Sequence, residues 1–63
     1  MKNYIKVERA KKDLTQAKLA ELAGVSRQTI NAIELGKYVP STTLALTLAK
    51  IFECKVEDIF ELD

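Results

Sequence analysis

The chain has 63 residues, of which 48% are hydrophobic and 30% charged, a balance typical of a globular domain and not of a disordered segment. This length suits a single domain, residues 1–63, close to the lower size limit for folding alone, so it needs an efficient core or a second copy. The single cysteine, Cys54, excludes an intrachain disulfide and favours a reducing compartment, which we expect to be the cytoplasm. The sequence lacks the apolar run of a signal peptide or membrane helix, so we expect no membrane association.

The net charge of +1 conceals an uneven distribution along the chain. Residues 1–37 hold eight Lys and Arg against four Asp and Glu, a charge of +4, whereas residues 38–63 hold two against five, a charge of −3. A basic half joined to an acidic half is consistent with one surface for an anion and another that faces elsewhere. Chance clustering in a small protein explains the same pattern equally well.

The hydrophobic spacing predicts helices throughout, because no stretch of useful length alternates with a period of two. The first helix is predicted from about Asn3 to Lys12. A second helix should follow the N-cap Thr15 and end at Gly24, with Leu19, Leu22 and Ala23 on its apolar side.

Three further helices are predicted in the rest of the chain. One follows the cap Ser26 and runs from Arg27 to about Leu35, where Gly36 stops it. After an extended connector ending at Pro40, Ser41 should cap a fourth helix that ends at Phe52. The fifth, from Val56 to about Glu61, begins at the poor cap Lys55 and therefore depends on tertiary contacts.

A helix, a tight glycine-containing turn and a second helix, at about residues 15–35, form the pattern of a helix-turn-helix. At about 100° per residue, Ile30 and Ile33 point to one side of the later helix. Its other side carries the polar or small residues Arg27, Gln28, Asn31 and Ala32, together with Leu35. The residues alone leave open whether this side is a solvated surface or a surface that contacts DNA bases.

The side chains on that outer side suit the recognition of double-stranded DNA. The Arg27 guanidinium matches the two acceptors of guanine, the Gln28 amide matches the acceptor and donor of adenine, and Ala32 is small enough to contact a thymine methyl group. Four more residues are placed to contact the DNA backbone: Gln16, Ser26, Thr29 and Lys37.

The run "LTQAKLAELAGVSRQTINAIELGKYVPS" resembles the helix-turn-helix of phage repressors and Cro, the XRE family, and "LALTLAKIFECKVEDIF" is similar to the last two helices of the same domain. The resemblance covers about residues 3–62. It implies an all-α, compact five-helix bundle of the lambda-repressor-like DNA-binding type. It also implies a transcriptional regulator that binds a DNA operator, usually as a homodimer.

The resemblance also implies roles for individual residues. Arg27 and Gln28 become the principal base contacts, with Asn31 and Ala32 as secondary ones. Gln16 would contact a phosphate and brace the next glutamine, and Lys37 would contact the backbone. Arg9 and Glu34 would form a structural ion pair between the first and third helices.

Three positions depart from the family pattern. Leu35 stands where a polar residue usually touches the sugar–phosphate backbone, which puts that contact in doubt. Val39 replaces an Asn or Asp of the connector, and Lys55 replaces a Ser or Thr cap. These two departures concern stability and the dimer surface.

Two assignments remain open between alternatives. Ile59, Phe60 and Leu62 either complete the monomer core or form a dimer surface, and the acidic second half slightly favours the dimer surface. The basic side of the first helix, which includes Lys6, is either a solubilising surface or a DNA contact.

An enzyme is not expected, because the chain has no histidine, no metal-binding cluster and no base beside its one cysteine. No cofactor and no small-molecule ligand is indicated either. The competing function is an antitoxin-like module that binds mainly another protein. That alternative is disfavoured because only Glu61–Asp63 follow the fifth predicted helix.

Overall fold

Five α-helices and two very short strands make up the fold in the computed structural model, which describes all of residues 1–63. In chain order they are β1 (Lys2–Asn3), α1 (Ile5–Lys11), α2 (Gln16–Ala23), α3 (Arg27–Glu34), α4 (Thr42–Phe52), α5 (Val56–Ile59) and β2 (Phe60–Glu61). The expected compact fold of five helices is therefore confirmed. None of these helices is long and apolar enough to cross a membrane.

Hydroxyl side chains begin the three central helices, as the sequence predicts. Thr15, Ser26 and Ser41 each accept a hydrogen bond from the backbone N–H three residues further on, at distances of 3.0, 3.1 and 3.2 Å. Each bond satisfies one of the N–H groups that a helix start leaves without a partner. Gly24 ends α2 in the left-handed conformation, with φ of 73°, so the chain turns directly into the cap of α3.

The two ends of the chain form a small antiparallel sheet that the hydrophobic pattern does not indicate. Lys2 pairs with Glu61 and Asn3 with Phe60. The predictions that the first helix begins at Asn3 and that the fifth continues to Glu61 were therefore wrong. Two-residue strands are too short to produce a detectable alternation, and their pairing joins opposite ends of the chain, so only tertiary structure creates it.

A core of eleven buried hydrophobic residues lies between the helices: Ile5, Leu19, Ala20, Ile30, Ile33, Leu44, Leu48, Ala49, Phe52, Ile59 and Phe60. Ile59 is fully buried and Phe60 is 8% exposed, so these two complete the core of the monomer. Their assignment to a dimer surface was wrong, and only Leu62, at 85% exposure, remains available from that group.

The prediction that Leu22 lies on the apolar side of α2 was also wrong, because its side chain is half exposed. α2 packs against α3 and α4 through its buried residues Leu19 and Ala20, which leaves Leu22 at the edge of this contact. The short α5 has no hydroxyl cap, but the Asp58 carboxylate accepts the Lys55 backbone N–H at 3.0 Å. That bond gives one N–H group at the start of α5 a partner, although no Ser or Thr side chain caps the helix.

Candidate nucleic-acid interface

α3 has one buried side and one exposed polar side. Ile30 and Ile33 are 0% and 1% exposed and fix the helix to the core. Arg27, Gln28 and Asn31 are exposed on the opposite side. The packing of two isoleucines three residues apart thus determines which side chains of α3 face solvent.

Four of the predicted DNA-contacting residues line one shallow depression of about 310 Å³: Gln16, Arg27, Gln28 and Asn31. We call this set the reading face. It combines the first residue of α2 with three residues of α3, because the start of α2 lies against Asn31 and Glu34 of α3. The side chains of Arg27 and Gln28 take part in none of the intrachain hydrogen bonds or ion pairs, so their donors and acceptors are free for a ligand.

A bidentate ion pair between α1 and α3 lies next to the reading face. Arg9 Nε lies 2.8 Å from Glu34 Oε2, and Arg9 Nη2 donates to Glu34 Oε1 at 3.1 Å. Arg9 Nη1 also donates to the carbonyl oxygen of Leu14 at 3.0 Å. The side chains of Arg9 and Glu34 are only 15% and 9% exposed, so the pair is weakly screened and holds α1, α3 and the segment before α2 in one arrangement.

Gln16 connects this ion pair to the exposed side of α3. Its Nε2 atom donates to Glu34 Oε1 and to Asn31 Oδ1, both at 3.2 Å. The implied brace of the next glutamine, Gln28, was therefore wrong. Asn31 and Glu34 lie three residues apart on the side of α3 that faces the start of α2, whereas Gln28 lies a turn earlier.

The residues predicted to contact the DNA backbone surround the reading face at several points. Ser26 and Thr29 are held together by their hydroxyl oxygens, 2.9 Å apart, at the start of α3. Lys37 is exposed just after Gly36, whose φ of 76° ends the helix and turns the chain. Ala32 is half-buried, so it offers a small apolar surface beside Asn31.

Lys6 is a further basic residue at this surface, and the sequence left it open between a solubilising surface and a DNA contact. It lines a second depression of about 490 Å³ together with Gln16, Asn31 and Leu35, so α1 contributes a positive charge beside the reading face. The signal was present in the sequence, because Lys6 lies three residues before Arg9 and shares its side of α1.

Ion pairs divide the basic residues of the first half of the chain into two groups. Lys11, Lys12 and Lys18 lie within 3.1 Å of a glutamate carboxylate, which offsets their charge. Arg9 is paired with Glu34, and the remaining four, Lys2, Lys6, Arg27 and Lys37, are in none of the ion pairs. Three residues that carry an unpaired positive charge, Lys6, Arg27 and Lys37, thus lie on or beside the reading face.

Cys54 shows no sign of chemical activation. Burial, and after it the nearby carboxylates Glu8 and Asp58, raise the pKa of its thiol above the ordinary value. The half-buried side chain packs against the core, and no group of His, Cys, Asp and Glu in the structure could hold a metal ion. Cys54 therefore acts as a small core residue.

Two helices joined by a tight turn, the second with a buried apolar side and an exposed polar side, form a helix-turn-helix, the motif of one large class of DNA-binding proteins. The model of the family described as "Helix-turn-helix" matches residues 5–59. The chain therefore belongs to the helix-turn-helix family of XRE-type transcriptional regulators, as its motifs predict. Because members of this family are transcriptional regulators, the expectation that the protein is not an enzyme is confirmed.

Relatives of similar length exist in an archaeon and a bacterium. An uncharacterized HTH-type transcriptional regulator of Methanocaldococcus jannaschii is 60% identical over 60 residues, which are 95% of this chain and 91% of that protein. One of Bacillus subtilis is 52% identical over 63 residues, which are 100% of this chain and 96% of that protein. The similarity thus extends over nearly the full length of each protein.

Solved structures show the same fold. The restriction-modification controller protein C.AhdI of Aeromonas hydrophila superposes with a TM-score of 0.81 and 28% identity, over 89% of this chain and 85% of its own. The SOS-response transcriptional repressor LexA of Eubacterium rectale gives a TM-score of 0.79 and 31% identity over 86% of this chain. This chain spans 57% of that LexA structure, so the similarity concerns only part of it.

Proposed function

We propose that this protein is a transcriptional repressor that binds a pseudo-palindromic DNA operator as a homodimer, with α3 of each copy in the major groove. The observation that carries this proposal is the reading face, on which the free side chains of Arg27 and Gln28 project from the first turn of α3. A recognition helix contacts base edges from this end.

The residue types divide into base contacts and backbone contacts. In this proposal Arg27 contacts guanine and Gln28 adenine, with Asn31 and Ala32 as secondary contacts. The DNA backbone is held by the exposed or start-of-helix residues Ser26, Thr29 and Lys37. Lys6, which lines the neighbouring depression, is proposed as a further backbone contact. The side-chain N–H groups of Gln16 are used within the protein, so its phosphate contact would come from its backbone N–H at the start of α2.

An exposed apolar groove supports the dimer. Leu46 is 57% exposed in the middle of α4 and lines a groove of about 450 Å³ with Pro40, Ala45 and Val56. We call this surface the α4–α5 groove. An exposed leucine surrounded by apolar side chains is typical of a protein contact, and a second copy would also stabilise a domain of this size. The groove lies on the acidic half of the chain, which is best directed away from phosphates.

We also propose that the protein represses transcription and that it acts in the cytoplasm. The structural similarity to the SOS-response transcriptional repressor LexA favours repression over activation. An operator read by two symmetric copies would have half-site centres about 34 Å apart, one turn of DNA. We place this activity in the cytoplasm, where the single free Cys54 would stay reduced.

The proposal is tested by selecting bound sites from random duplex DNA at low salt, with the molar mass of the free protein measured by light scattering. We expect a twofold-symmetric site, salt-sensitive binding and a dimer that Leu46→Lys converts to a monomer. The control is Leu22→Lys, a half-exposed leucine outside the groove. If no salt-sensitive DNA binding is found, DNA is not the ligand, and the antitoxin-like alternative gains support.

A further inference from the structure

We infer that two copies of this chain pack their α4–α5 grooves together with the α4 helices antiparallel, so that Lys50 of each copy pairs with the partner's Glu57. The inference rests on the proposed homodimer and adds the arrangement and the charge pairs of its contact. Both side chains are exposed, and neither has a charged partner within one chain.

Glu57 differs from the other carboxylates of the acidic half of the chain, residues 38–63. Each of the others has a hydrogen-bond or ion-pair partner within the chain: Glu53, Asp58, Glu61 and Asp63. Glu57 has none, and it lines the α4–α5 groove together with Thr42 and Leu46. A carboxylate that loses water at a contact without gaining a partner is costly, so a second copy has to bring a positive charge to this position.

Lys50 supplies that charge from the same surface. It lies one turn after Leu46 on the same side of α4, and its side chain is exposed. In a contact about a twofold axis the same patch is present on both copies, so a positive and a negative residue of one patch meet as two equivalent pairs. Lys50 and Glu57 thus make this surface complementary to itself.

The position of Leu46 determines which residues of the two copies face each other. Leu46 is the one exposed hydrophobic residue of the groove, at 57%, so it belongs at the centre of the contact, where apolar side chains gather. A twofold axis beside Leu46 and perpendicular to α4 makes the two α4 helices antiparallel. A residue four positions after Leu46 then faces a residue four positions before it in the other copy.

Lys50 therefore faces the partner's Thr42, about 6 Å along the helix from the axis. Thr42 and Glu57 line the same groove, one from α4 and the other from α5. The long, flexible stem of a lysine can cross from one to the other, so the amino group of Lys50 reaches the partner's Glu57 at the edge of the apolar contact.

Charge reversal tests this pairing in the free, full-length chain. Light scattering over a range of protein concentrations at low salt measures the dissociation constant of the dimer. Lys50→Glu and Glu57→Lys each place two like-charge pairs in every dimer, because the symmetry repeats the change. We expect each variant to raise the dissociation constant about five-fold to fifty-fold, and less at high salt.

An equimolar mixture of the two variants gives the decisive result. In a mixed dimer the introduced glutamate of one copy faces the introduced lysine of the other, and the remaining Lys50 faces the remaining Glu57. Both pairs are attractive again, so the mixture should dimerise about as tightly as the unmodified protein. The double variant Lys50→Glu with Glu57→Lys should do the same, for the same reason.

Lys55→Glu is the matched control, because Lys55 is the other lysine of residues 38–63 and is also exposed and without an ion pair. It makes the same change of charge and should leave the dissociation constant within about two-fold. Thermal melting shows that each variant is folded. Glu57→Gln removes the charge without reversing it, so it gives an independent result, a smaller loss that disappears at high salt.

Two results would overturn the pairing while leaving the homodimer and its DNA binding intact. One is a mixture that stays as dissociated as its two components, and the other is a loss in Lys55→Glu as large as that in Lys50→Glu. If the unmodified protein is a monomer at every concentration, the proposed homodimer fails as well. The failure of the pairing and the failure of the homodimer are therefore distinguishable.

Discussion

The side-chain amide of Asn3 donates a hydrogen bond of 2.8 Å to the carbonyl oxygen of Ile33, at the end of the helix that carries the reading face. A longer bond of 3.4 Å reaches the carbonyl oxygen of Glu34. Carbonyl groups in the last turn of a helix have no partner within it, so Asn3 satisfies part of the end of α3. Because Asn3 also pairs with Phe60 across the sheet, both chain ends are tied to α3.

Removal of this contact should destabilise the fold. We expect Asn3→Ala to lower the free energy of unfolding by about 1 kcal/mol, since it removes this hydrogen bond while the Ile33 carbonyl oxygen keeps the Gly36 N–H as a donor. Asn3→Asp should lower it further, because a carboxylate would face two carbonyl oxygens. Urea denaturation measures both, with the exposed strand neighbour Lys2→Ala as control. An effect of Asn3→Ala no larger than that of Lys2→Ala would show that the contact contributes little.

The two serine caps allow stability to be separated from DNA binding. Ser26 caps α3 beside the reading face and Ser41 caps α4, with similar bond lengths of 3.1 and 3.2 Å. Replacing either serine with alanine should cost about 1 kcal/mol of unfolding free energy. Only Ser26→Ala should also weaken DNA binding, as measured by fluorescence anisotropy, because only Ser26 is proposed to contact phosphate. Equal losses of affinity in the two variants would argue against that contact.

The Arg9–Glu34 pair should contribute strongly to stability through the cost of leaving one charge unpaired. We expect Arg9→Met to lower the unfolding free energy by about 3 kcal/mol, because Glu34 is almost buried. The double variant Arg9→Met with Glu34→Leu should recover much of this loss, because it removes the stranded carboxylate. Lys18→Met, which breaks the exposed pair with Glu21, serves as control and should have little effect. No recovery in the double variant would contradict this explanation.

Arg27 and Lys37 should affect DNA binding in different ways. Arg27→Ala should relax the preference at one base position, at a cost of about 1–3 kcal/mol on the preferred site. Lys37→Ala should weaken binding to all sequences about equally and reduce the salt slope by about 1. Titrations of selected and random duplexes at several salt concentrations distinguish these outcomes. If Arg27→Ala behaves as Lys37→Ala does, Arg27 is a phosphate contact and not a base contact.

Leu35 ends α3 with 60% of its surface exposed, beside Lys6 in the second depression. We expect Leu35→Asn to tighten DNA binding about three-fold to ten-fold without changing sequence preference, since the amide can donate to the DNA backbone. Anisotropy titrations measure the affinity and light scattering the molar mass. If the variant loses its oligomeric state instead, Leu35 belongs to a protein contact.

The helices and the polar side of α3 are evident in the sequence for local reasons. Caps act on N–H groups three residues away, glycine permits the left-handed turn, and Ile30 and Ile33 share one side of a helix through spacing alone. These signals lie within a few residues of each other. They therefore predict the helix-turn-helix and its exposed residues Arg27, Gln28 and Asn31 without any knowledge of the core.

Contacts between residues that are distant in the sequence could not be predicted from it, because they form only in the folded chain. The strand pairing of the termini buries Phe60 and Ile59, and no local pattern separates that outcome from a dimer surface. The sequence also places Gln16 near α3 but cannot specify its partners. The short turn between α2 and α3 and the position of Glu34 direct both of its N–H groups to Asn31 and Glu34. The sequence by itself determined which residues are available to contact DNA, whereas the tertiary structure decided which of their donors and acceptors remain free, because a hydrogen bond depends on where two distant segments meet.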